Sequence, residues 1–150
     1  MSEGLAARGD FDALVIRTDY GDDRAWRDVV AALLRSETHI HFVDDPAWAG
    51  ARIDDVLDAA RDAEDLSVVF LADHTTMRSG LHALLAVTTL TREDCADDED
   101  HARLTEFGRE FRTTPAGVHD IHANLSIGNL GFEEYAAWAR ENPDGVYRSP

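Results

Sequence analysis

Three short, nearly continuous apolar runs alternate with segments whose apolar residues recur at helical spacing, and this alternation limits the possible folds more than any other feature. The runs are DALVIRT (12–18), HIHFVDD (39–45) and LSVVFLAD (66–73). A strand covered on both faces reads as continuous apolar residues, whereas a strand with one wet face alternates. Between the first two runs, DDRAWRDVVAALLR sets Trp26, Val29, Val30, Leu33 and Leu34 on one helical stripe, with Asp22 and Asp23 at its start as an acidic cap. RIDDVLDAARDA repeats the pattern with Ile53, Val56, Leu57 and Ala60. Strand, helix, strand, helix, strand predicts parallel pairing through crossover helices.

The second half extends the order to β-α-β-α-β-β-(β)-α-α. ALLAVTTLT (83–91) reads as a fourth strand and REFRTT as a short edge strand. Residues 92–108 between them, REDCADDEDHARLTEFG, read as an acidic, exposed or mobile insertion. Thr114 before Pro115 predicts a helix start, continued by Val118, Ile121, His122 and Leu125. GFEEYAAWAR predicts a last helix with Phe132, Tyr135, Ala136 and Ala139 on one stripe. At the joint, NLSIGN, the expectation is that Asn124 and Asn129 tolerate left-handed backbone while Leu125, Ile127 and Leu130 point inward. A contact surface lined by those asparagines is the alternative. The whole predicts an α/β sandwich with a mainly parallel central sheet. It is read as one domain over residues 1–150, with 1–10 as a disordered tail.

Composition narrows the chemistry. The 14 basic residues face 30 acidic ones, a formal net charge of -16, which disfavours direct binding to nucleic acid or to an anionic membrane surface. All the cations are arginine, so Schiff-base, phosphate-loop and general-base lysine chemistry is excluded. The one cysteine, Cys95, lies in an acidic run that disfavours its thiolate. No apolar stretch reaches the roughly 20 residues of a membrane span, and MSEGLAARGD lacks a signal-peptide core, so the expected location is cytoplasmic.

In a parallel α/β sheet, ligands bind at the carboxyl ends of strands. There the sequence places Asp19, the pair Asp44 and Asp45, and Asp73 with His74, with Asp22 and Asp23 close behind. Such carboxylates could hold a divalent cation, or they could cap the helices that follow. A phosphoacceptor receiver with Asp73 as acceptor is excluded by the missing lysine. His39 with His41, and His119 with His122, could each offer two metal ligands but have no third in a recognised spacing. His39 and His41 read instead as outward-facing residues of a strand. No serine stands in a nucleophile elbow. No catalytic residue, metal site or cofactor is therefore expected. Trp26, Trp48 and Trp138 read as core or interface anchors.

Taken together, FDALVIRTDYGDDRAWRDVVAAL, VVFLADHTTM and the blocks ANLSIGNLGFEEYAAWA and DGVYR resemble a family of small acidic bacterial proteins known only as a domain of unknown function. The resemblance spans nearly the whole chain and implies no activity. It also implies a shorter connection where the acidic segment around Cys95 stands. The reading that follows is a non-catalytic binding protein, immunity- or antitoxin-like, that meets a basic protein partner. Two alternatives stand beside it: a small enzyme or metal- or nucleotide-binding module using the strand-end aspartates, and a structural subunit with Trp48 or Trp138 at an interface.

Overall fold

Strand β1 (Ala13–Arg17) is enclosed on both faces, with every residue buried. The computed structural model describes residues 12–36, 39–61 and 66–149, and the expected tail over residues 1–10 lies outside them. Five more strands join β1: β2 (Ile40–Val43), β3 (Val68–Ala72), β4 (Leu84–Thr88), β5 (Glu110–Thr113) and β6 (Val146–Tyr147). Their order in the sheet is β2-β1-β3-β4-β5-β6. β1 pairs in parallel with β2 and β3, as β5 does with β6, while β4 runs antiparallel to β3 and β5. The fold is thus α/β around a mixed, mostly parallel sheet, as the alternation predicts.

Side chains leave a strand on alternate faces. Accordingly Leu14 and Ile16 enter one apolar cluster and Val15 the other. Each fully buried aliphatic residue contributes roughly 1.5–3 kcal/mol, so the continuous run over β1 anchors both layers. The first layer is built by α1 (Asp23–Leu33), α3 (His74–Arg78), α5 (Pro115–Ser126) and α6 (Phe132–Glu141), through Trp26, Met77, Ile121 and Tyr135. The second is α2 (Ile53–Ala59), through Val56, with Trp48 beside it. α4 (Asp98–Leu104) completes the helices among the described residues.

Capping follows the sequence closely. Asp22 accepts from the Ala25 amide at 2.9 Å, and Thr114 caps α5 with Pro115 in its first turn. The expected stripe of α6, Phe132, Tyr135, Ala136 and Ala139, is buried throughout.

Several expectations are corrected. β5 is no edge strand, because Val146 and Tyr147 pair beside it; two residues give too short a pattern to read. HTTMR forms the short helix α3, whose cap is Asp73. Residues 92–108 are exposed as expected, with no buried residue between positions 92 and 107, but they form a 3-10 turn, Arg92–Asp94, and α4. Leu34 and Ile127, expected inside, are 61% and 77% exposed, because each falls just past the last turn of its helix and off the packed stripe. His41, expected to face outward, is half-buried. Of the tryptophans read as core or interface anchors, Trp26 and Trp48 are core residues, whereas Trp138 is 40% exposed.

The NLSIGN joint is corrected as well. The left-handed residue is Gly128, at φ 70°, while Asn124 lies within α5. Asn124 works through its side chain. Its amide nitrogen donates to the Asp120 carbonyl at 3.0 Å and to the Tyr135 hydroxyl at 2.9 Å, and its oxygen accepts from Asn129 at 2.9 Å. Tyr147 adds a short hydrogen bond from its hydroxyl to Asp120. One polar cluster therefore ties α5, α6 and β6 together, which is why the asparagines stand there.

Candidate functional site

The carboxyl ends of β1, β2 and β3 lie at one end of the sheet. β1 leads into α1 on one face and β2 leads toward Trp48 and α2 on the other, so the crevice between them is where this architecture admits ligands. Here the crevice is filled by the chain's own Arg17, whose side chain is only 5% exposed. Its guanidinium donates to Asp23 at 2.6 Å, to Asp44 at 3.4 Å and to the Asp19 carbonyl at 2.9 Å. It lies 4.2 Å from the centre of the Tyr20 ring and 5.4 Å from that of Trp26. The Trp26 indole donates to the other oxygen of Asp44 at 3.2 Å, and the Gly50 amide closes onto the Thr18 carbonyl at 2.9 Å. Burial, followed by the negative charge of Asp44, pushes the Tyr20 phenol up to about 12.

The remaining aspartates are also engaged. Asp22 and Asp45 cap the helical turns that follow them. Asp73 caps α3 through the Thr76 amide at 3.1 Å and receives both ends of the Arg112 guanidinium, at 2.7 and 2.8 Å, across β4. Burial alone would raise the Asp73 pKa, but the hydrogen bonds and charge of Arg112, with help from Thr76, hold it below its ordinary value. Asp19 accepts from the Gly21 amide at 2.9 Å and meets the His74 ring at 3.2 Å. The structure therefore brings together Asp23 with Asp44, and Asp19 with His74, but assembles no larger carboxylate set among the described residues. Among the described residues no group of three or more histidine, cysteine, aspartate or glutamate side chains is placed to hold a metal ion.

Arg17 and Arg112, which organise this end, were not singled out from the sequence. The available signal was an arginine closing an otherwise apolar buried run, ALVIR, and another inside EFRT. A guanidinium that is buried, as in Arg17, or partly buried, as in Arg112, needs carboxylate partners, and those partners are the strand-end aspartates.

A second opening lies at the other end of the sheet, where β3 begins and β4 ends. It is a cleft of about 970 Å³. Its apolar lining includes the buried Leu66 and Phe132 and the half-buried Leu57, Leu90, Leu104 and Leu130. Asp54, Asp58, Asp94 and Glu133 line it with Arg61 and Arg109. One wall is α2, a second is the acidic segment, and the third is the corner that ends NLSIGNLGF. The candidate aspartates and His74 lie at the opposite end, while Asn124 and Asn129 belong to the corner that forms the third wall but do not line the cleft; no local pattern reveals that these three walls meet.

Residues 12–150 match a family model described as Domain of unknown function (DUF6924). The chain belongs to this family. No curated protein matches it. The family region takes in every strand and helix described above, including the acidic segment. Cys95 lies in that segment, its thiol pushed up by local desolvation and then by Asp100 and Asp94. Among the described residues no helix is long and apolar enough to cross a membrane.

Proposed function

We propose that this chain is a non-catalytic binding protein, immunity- or antitoxin-like, that covers a basic protein partner with an acidic surface. The observation that carries the reading is how its carboxylates are distributed. Those at the strand ends are engaged by the chain's own arginines, backbone amides and His74. Residues 92–107 present seven carboxylates against two arginines, and none of these residues is buried; Asp94, Asp97 and Asp100 accept from local amides, and the contrast with the strand ends is that this excess charge stands exposed. Among the described residues Arg92 pairs with Asp98 at 3.8 Å and Arg103 with Asp100 at 3.0 Å. Exposed like charge steers an opposite partner and is screened over about 8 Å at physiological salt.

Partner capture from the native host tests this, with the wild-type chain compared with Glu93→Lys/Asp98→Lys/Glu99→Lys at low and high salt. A basic protein held by the wild type, released by salt and ignored by the variant supports the reading. Captured proteins with no basic bias and no salt dependence refute it.

A small enzyme or a metal- or nucleotide-binding module is the second reading, and one contact favours it. Asp19 holds one ring nitrogen of the 68% exposed His74 side chain, the arrangement that orients an imidazole for proton transfer. Thermal shifts with divalent cations and nucleotides test it, since a ligand at 100 times its dissociation constant adds about 2.7 kcal/mol. No shift across the panel sinks it.

A further inference from the structure

From the cleft between α2, the acidic segment and the α5–α6 corner, we infer where and how a basic partner docks: an extended polypeptide segment lays an apolar side chain on the cleft floor and cations on its rim. This rests on the binding-protein reading above and adds a location and a recognition chemistry.

The floor supplies the first half of the argument. Leu57, Leu90, Leu104 and Leu130 remain partly open to solvent around a space of about 970 Å³, at the upper end of the size that encloses a small ligand or a few side chains. An apolar anchor seated there removes its own surface and that of the floor from water.

The rim supplies the second half. Arg61 is paired with Asp58 at 2.8 Å, and Arg109 is turned onto the Leu90 carbonyl at 3.2 Å, so Asp54, Asp94 and Glu133 are left against the single charge of Arg109 and the rim is net acidic. Asp54 on the α2 wall and Glu133 on the α6 wall have no hydrogen bond or ion pair among the described residues. A rim of four carboxylates and two arginines around a shared apolar floor is complementary to a segment in which cations flank an apolar residue. Recognition runs through side chains, because backbone groups at this end are paired internally: the Thr88 amide with Arg109 and the Thr89 amide with Ser67, each at 3.1 Å.

The test uses the full chain and three fluorescent synthetic peptides of equal length, alternating arginine with leucine, arginine with serine, and glutamate with leucine. At low ionic strength the arginine–leucine peptide is expected to bind about tenfold more tightly than the arginine–serine peptide, the effect of roughly one buried aliphatic side chain. The glutamate–leucine peptide does not bind. Asp54→Lys/Glu133→Lys, checked for unchanged thermal unfolding, weakens the arginine–leucine peptide about tenfold, and amide shifts on binding centre on Leu90, Leu104 and Gly131.

If both arginine peptides bind equally, and only Glu93→Lys/Asp98→Lys/Glu99→Lys weakens them, the cleft is overturned while the acidic-surface reading stands. If neither arginine peptide binds, the cleft is also overturned, and partner capture decides the broader reading separately.

Discussion

Replacing Arg112 with methionine keeps most of the aliphatic stem and removes the guanidinium that joins β5 to the cap of α3 across β4. Asp73 then keeps only the Thr76 amide and hydroxyl, each at 3.1 Å. Breaking a fully buried ion pair costs about 3–5 kcal/mol, whereas an exposed pair contributes about 0–1. The two side chains are 24% and 27% exposed, so the expected loss lies between, at about 2–3 kcal/mol. For a chain of this size that lowers Tm by about 5–10 °C.

The pH dependence has a fixed sign. The folded Asp73 pKa is depressed, so its stabilisation is full above the unfolded carboxyl's value of about 3.9 and is lost as pH falls through the lower folded value. Thermal unfolding followed by circular dichroism across a pH series reads both effects. The gap between wild type and Arg112→Met is widest at neutral pH and closes below about pH 4. A Tm change of less than about 2 °C, or a gap that stays constant into acid, refutes the clamp.

Two more perturbations follow from the polar groups. All three tyrosines should resist ionisation: burial and then the nearby Asp120 charge push Tyr135 up to about 12, Tyr20 reaches about 12 beside Asp44, and Tyr147 is raised further by burial and its bond to Asp120. Their neutral forms stabilise the fold below the free phenol's value of about 10, and that contribution is lost as pH rises toward the folded values. An ultraviolet titration should then show no tyrosinate near pH 10 in the folded chain, and one tyrosine ionising there would refute the packing described. Asn124→Ala should cost about 1–3 kcal/mol, as it removes the amide that donates to the Asp120 carbonyl and the Tyr135 hydroxyl and accepts from Asn129. Asn129→Ala, at an exposed position, should cost less than half of that in urea unfolding, and equal losses would refute the hub at Asn124.

Local pattern determined much of this protein. The continuous runs at β1 and β3 marked strands buried on both faces, because side-chain alternation requires apolar residues at every position there. Asp22, Thr114 and Pro115 marked helix starts, because a cap satisfies amides only three residues away. NLSIGN marked a corner, since its glycine takes a backbone conformation that few residues tolerate.

Tertiary structure decided the rest, wherever a role depends on a partner distant in sequence. The aspartates after β1, β2 and β3 read as candidate ligands until Arg17 and Arg112 were placed, 27 and 39 positions from Asp44 and Asp73. β6 exists because β5 offers it an edge, and two residues carry no period of their own. The cleft is likewise an outcome of docking, where α2, the acidic segment and the α5–α6 corner meet at one end of the sheet. Periodicity records which face of an element is dry, but not which other element makes it so.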